Sequence, residues 1–70
     1  MTAAILTIGT ELTRGELVDR NSAWLADRLL SHGHETIEMV SVPDEDQLMI
    51  DTLRRLAGAV DVIVCTGGLG

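Results

Sequence analysis

Three short apolar runs, at residues 3–8, 35–42 and 60–65, alternate with two stretches whose apolar residues recur at helical spacing. Few folds accept that alternation. Strand, helix, strand, helix, strand calls for a parallel sheet with right-handed crossovers, an α/β unit with helices on the sheet faces. The first run ends at Gly9 and reads as a strand buried on both faces. The second is rich in β-branched residues but carries Glu38 and Ser41, so it is expected to be less enclosed. The third, residues 60–65, is interrupted only by Asp61. A spatial order 2-1-3 would put the two helices on opposite faces and the first and third strand ends at the switch point.

Asn21 or Ser22 can cap the first helix, and Gly33 stops it. At 100° per residue, about the α-helical turn angle, Ala23, Leu25, Ala26, Leu29 and Leu30 share a stripe that reads as a core face. Trp24 falls opposite that stripe with Asp27, Arg28 and Ser31, where an exposed ring is expected to pack against further chain or another subunit. His32 and His34 bracket Gly33 and read as surface residues at a helix end. Asp44 is the expected N-cap of the second helix, which runs to about Ala57 with Gly58 as its stop. Its inward stripe is Met49, Ile50, Leu53, Leu56 and Ala57, with Asp51 and Arg55 as an outer i,i+4 pair.

The eleven acidic residues and five basic ones leave a net charge of −6, and every basic residue is arginine. That balance argues against nucleic acid or an anionic membrane as a partner. Any anionic ligand must then be held by backbone N–H groups, an arginine, a metal ion or residues beyond Gly70. Cys65 stands alone, so an intrachain disulfide is impossible, and its place in the third run reads as a small buried residue. The opening residues lack a signal-peptide layout, so a cytoplasmic location is expected. Seventy residues lie near the lower limit for a self-sustaining core. Residues 1–70 are therefore read as the first part of one domain, cut after its glycine-rich loop.

Parallel strands place their carboxyl ends along one edge, where ligands bind. The segments leaving the three strands are Gly9-Thr10-Glu11, Pro43-Asp44-Glu45 and Thr66-Gly67-Gly68-Leu69-Gly70. The last is neither a Walker A loop nor a GxGxxG fingerprint. After a buried strand it reads as a phosphate cradle, because glycines let main-chain N–H groups approach an anion without side-chain obstruction. Thr10 is a candidate hydrogen-bond donor to a ligand oxygen, while Glu11 is either solvated or faces a metal or base. Arg14 and Arg20 are the only cations placed near this edge. Asp44 could bind a divalent cation that bridges protein and phosphate, with a second acid supplied from beyond Gly70.

Gly9-Thr10-Glu11-Leu12, Gly15, Asn21, Val42-Pro43-Asp44-Glu45 and Thr66-Gly67-Gly68-Leu69-Gly70, in this order and spacing, resemble the molybdopterin-binding-like (MoaB/MogA) superfamily. The pattern is most similar to the N-terminal domain of the competence/damage-inducible CinA family. The resemblance covers essentially the whole sequence. It implies an α/β sandwich that commonly forms homo-oligomers, with the glycine loop at a nucleotide or pterin phosphate site. For CinA-like proteins it implies a metal-dependent pyrophosphatase acting on ADP-ribose, often joined to a deamidase domain. For MogA-like relatives it implies molybdopterin adenylylation, a step of molybdenum cofactor biosynthesis. It assigns Asp44 to catalysis or a divalent metal such as Mg²⁺. Thr66, Gly67, Gly68 and Gly70 match the phosphate loop, and Gly9, Thr10, Glu11 and Asn21 match the first ligand loop. Pro43 is closer to the MogA-like pattern, whereas Leu69 in place of threonine favours CinA.

Overall fold

The computed structural model describes residues 1–9 and 20–67, and the side chain of Arg20 is left aside. Among them the order is β1 (Thr2–Ile8), α1 (Arg20–Ser31), β2 (Glu35–Val42), α2 (Asp46–Ala57) and β3 (Val62–Gly67). The strands form one parallel sheet in the order β2-β1-β3, the expected α/β arrangement. Central β1 is buried from Ala3 through Thr7 because α1 covers one of its faces and α2 the other. That double enclosure is why its sequence lacks the alternation of a one-faced strand.

On the α2 side, Ala4, Leu6, Val42 and Leu56 form the buried core, joined by the partly buried Ile8, Val40, Met49, Leu53, Val60 and Ile63. On the α1 side, Ser22 meets Thr7. The helix stripes are broader than the ledge beneath them. A three-stranded sheet spans two interstrand spacings, about 10 Å, hardly more than one helix diameter. Leu25, Ala26 and Leu29 are half-buried accordingly, but Ala23 and Leu30 are exposed. Likewise Leu56 is buried and Met49 and Leu53 partly so, while Ile50 and Ala57 face outward.

Helix starts depart from the sequence reading at two points. α1 already includes Arg20, so Asn21 and Ser22 occupy its first turn rather than its cap. Glu45, not Asp44, is the N-cap of α2, in extended backbone (φ −141°) and without a side-chain cap hydrogen bond. At the other end of α1 the expectation holds. Gly33 takes φ +83°, with Gly33 N–H donating to Leu30 O and His34 N–H to Leu29 O, a Schellman closure. Gly58 follows α2 with φ −84°, which asks for no glycine.

The register of β1 against β2 slips between Ala3 and Ala4, which face Thr36 and Glu38 and leave Ile37 as an extra residue. This bulge reverses the facing of everything after it. Glu38 therefore reaches α2, where Arg55 donates to both its carboxylate oxygens at 3.0 and 2.6 Å. The expected Asp51–Arg55 pair does not form, and Asp51 instead accepts from Gln47 at 2.9 Å. Hydrogen bonding to Arg55, with the attraction of its charge, holds the Glu38 carboxyl below the usual range. Cys65 is exposed on β3, an edge strand among the described residues, rather than buried.

At the amino edge, Thr2 N–H and Thr2 Oγ1 donate to Asp61 Oδ2 at 3.0 and 3.1 Å. Asp61 N–H returns a bond to Thr2 O at 3.1 Å. The backbone donor, then the hydroxyl, hold the Asp61 carboxyl below its ordinary value of 3.8. A depressed carboxylate contributes stability above its unfolded pKa and loses that contribution as pH falls through the folded value. Asp61→Asn keeps an acceptor but not the charge. Its melting temperature should lie below wild type at neutral pH, with the gap closing as pH falls through the depressed folded pKa of Asp61. An unchanged gap across a pH series of thermal melts would refute this linkage.

Candidate functional site

The three strand ends are level. Ile8 of β1 is the register partner of Val42 on one side and Gly67 on the other. Gly9, buried one residue later, donates its N–H to Val42 O at 2.9 Å, which carries the β1–β2 ladder past the end of the strand. The chain turns to opposite sides of β1 after its two crossovers, so this edge is the switch point of the sheet. The ends of β2 and β3 lie two interstrand spacings apart, about 10 Å, with β1 between them.

Gly67 is the tightest point of this edge. Its φ is +86°, and a Cβ built on it would lie 2.2 Å from Ile8 O and 3.2 Å from Ile8 C. The end of β3 is thus pressed against the main chain of β1, which only glycine permits. One residue earlier, Thr66 Oγ1 donates to Thr7 Oγ1 at 3.4 Å, and Thr7 lies 3.1 Å from Ser22 Oγ in the first turn of α1. Asn21, exposed beside Ser22, is brought to the same edge.

Asp44 stands two residues beyond Val42, exposed, after Pro43. Glu45 N–H donates to Pro43 O at 2.8 Å and Glu45 O accepts the first helical bond from Met49. This tight step places the cap at Glu45 and leaves the Asp44 carboxylate without a hydrogen bond or ion pair among the described residues. The structure therefore brings Gly9, Asn21, Asp44, Thr66 and Gly67 to one edge. Thr10, Glu11, Gly68 and Gly70 lie outside the described residues, as do Arg14 and Leu69. Thr7 and Ser22 escaped the sequence reading as site residues. Their signal was a hydroxyl inside an otherwise apolar strand, two positions before Gly9.

Among the described residues, no group of three or more His, Cys, Asp or Glu side chains could hold a metal ion. Asp44 is one carboxylate and does not make a metal shell. Among the described residues at this edge, the main-chain N–H of Gly9 is engaged by Val42 O and that of Glu45 by Pro43 O. A separate cleft of about 470 Å³ opens between α1 and β2, lined by Ala23, Ala26, Leu30, Thr36 and Met39 with Asp27 and Glu35. It lies toward the amino half of β2, away from the strand ends. Trp24 is 62% exposed, and the Arg28 guanidinium sits 5.9 Å from its ring centroid. No helix among the described residues is long and apolar enough to cross a membrane.

A family model described as a probable molybdopterin binding domain matches residues 4–70. A CinA-like protein of Geobacter metallireducens is 44% identical over 70 residues, covering 100% of this chain and 17% of that protein. A CinA-like protein of Flavobacterium psychrophilum is 41% identical over 70 residues with the same coverage. The crystal structure of the protein CinA, of unknown function, from Thermoplasma acidophilum superimposes with a TM-score of 0.93 at 29% identity. That match covers 99% of this chain and 41% of the other. The chain spans 17% of the length of these two curated relatives.

Proposed function

This chain belongs to the family of probable molybdopterin binding domains, and from that premise we propose that its carboxyl edge binds the phosphate of a nucleotide or pterin. In the whole protein, the reaction we assign to that edge is hydrolysis of the pyrophosphate of ADP-ribose. The observation that carries the binding site is the level convergence of the strand ends, with Gly67 main chain against Ile8 and Asp44 beside them. Glycine at that contact leaves N–H groups open to an anion. Such donors stabilise charge as it develops on transferring phosphate, often the largest single contribution to this chemistry.

In that reaction, water adds to one phosphorus, the bridging P–O bond breaks, and AMP and ribose 5-phosphate leave. In this reading Asp44 orients or deprotonates the water. The described residues do not complete a metal site, so a divalent cation would require ligands from elsewhere in the protein. Trp24, exposed and backed by Arg28, is our candidate for a subunit contact in a homo-oligomer.

Release of AMP from ADP-ribose by the whole protein, with and without divalent metal, tests this reading. Because Asp44 caps nothing and is exposed, Asp44→Ala should fold normally yet lose roughly a hundredfold in kcat, the scale for removing a positioned acid or base. Full activity in that variant would remove Asp44 from the chemistry. The second reading, adenylyl transfer onto molybdopterin, is favoured by the description of the matching family. Product analysis with ATP and molybdopterin separates transfer from hydrolysis.

A further inference from the structure

Three hydroxyls line up beneath the first turn of α1. Thr66 Oγ1 donates to Thr7 Oγ1 at 3.4 Å, and Thr7 Oγ1 lies 3.1 Å from Ser22 Oγ. Thr7 accepts from Thr66, and either hydroxyl of the Thr7–Ser22 pair can donate to the other, so the three hydroxyls connect β3 through β1 to α1. Thr7 is 5% exposed and Ser22 3%. Burying hydroxyls costs desolvation that their hydrogen bonds largely offset, and valine at position 7 would fill the same volume without that cost. Packing alone therefore gives no reason for hydroxyls here. A hydrogen bond, unlike an apolar contact, defines both a distance and a direction between the segments it joins.

The location decides what is being held. Thr7 and Thr66 are register partners, each one residue before the end of its strand, and Gly67 follows Thr66 directly. Ser22 follows Asn21 in the first turn of α1. We infer that Thr7, Ser22 and Thr66 form a positioning network that sets the first turn of α1 against Gly67 at the end of β3. The inference rests on the anion site proposed above for its consequence, the affinity of that edge for a phosphate-bearing ligand. Thr7 and Ser22 act through the main chain they hold.

The test uses the whole protein with Ser22→Ala, Thr7→Val and the conservative Thr7→Ser. Asp61→Asn, at the opposite edge of the sheet, serves as the control for stability alone. Two readouts are taken. Amide hydrogen exchange in the ligand-free protein is followed at Gly67 and in residues 20–24, and ADP-ribose affinity is measured by calorimetry well below the melting temperature. Ser22→Ala and Thr7→Val should speed exchange at both places together and weaken ADP-ribose roughly tenfold, with Thr7→Ser near wild type. Asp61→Asn should change neither. Exchange at Gly67 unmoved by Ser22→Ala overturns the network whatever the ligand data say. If the exchange effects are coupled but wild-type protein does not bind ADP-ribose, the network stands and the assigned ligand falls. Equal loss of affinity in Asp61→Asn would reduce the network to ordinary stability and overturn its positioning role.

Discussion

Gly67→Ala should destabilise the protein by about 3 kcal/mol or more and abolish ligand binding at the carboxyl edge. Two costs add. A residue with a side chain pays about 1–2 kcal/mol for left-handed backbone. The new Cβ would also lie 2.2 Å from Ile8 O, a backbone atom of the central strand that cannot rotate away. Relief requires β1 and β3 to part at the edge where the phosphate site is proposed. Gly33 supplies the internal comparison. Its φ of +83° is nearly the same, but a Cβ there meets nothing within 4 Å. Gly33→Ala should therefore cost only about 1 kcal/mol, the conformational part alone. Denaturant melts of the two variants decide the matter. Similar losses would mean that the Ile8 contact relaxes freely and that glycine at 67 is only a turn residue.

Leu56→Ala should cost about 2–5 kcal/mol, the range for removing a large side chain from a packed interior. Leu56 is fully buried in the last turn of α2 against Ala4, Leu6 and Val42. Its carbonyl also accepts from Ala59 N–H and Val60 N–H at 2.9 and 3.0 Å, so the turn into β3 is anchored at the same residue. A small α/β unit has only a few kcal/mol to lose. Ile50→Ala, on the same helix but 42% exposed, should cost under about 1 kcal/mol. Equilibrium unfolding of both variants checks the contrast. Equal losses would show that α2 is held by its whole apolar stripe and not by the Leu56 contact.

The parts of the site that were legible in the sequence share one property: they depend on order along the chain. Gly9 and Asp44 follow strands and Gly67 ends one, and parallel strands must end on one edge, so their gathering could be read from spacing. The helix stop at Gly33 was legible for the same local reason, and its Schellman hydrogen bonds bear it out. The misreadings turn on geometry that residue type does not carry. Asp44 is the better cap by residue type, yet Glu45 takes the position because of how the chain leaves β2 through Pro43. Arg55 has an acid four residues before it, yet it pairs with Glu38 because the bulge at Ile37 turns Glu38 toward α2. Cys65 lies in an apolar run, but its burial depends on what stands beyond β3, which no run of residues encodes.

Apolar periodicity and the spacing of glycine stops were enough to specify the element order and the parallel direction. Those properties arise from contacts within one element or between neighbours in the chain. Tertiary pairing alone decided that Ile8, Val42 and Gly67 end level, that Gly67 meets the main chain of Ile8, and that Thr7 joins Ser22 to Thr66. Register and bulges are chosen by strand partners 33 to 59 residues apart, and a shift of one position there exchanges the two faces of a strand.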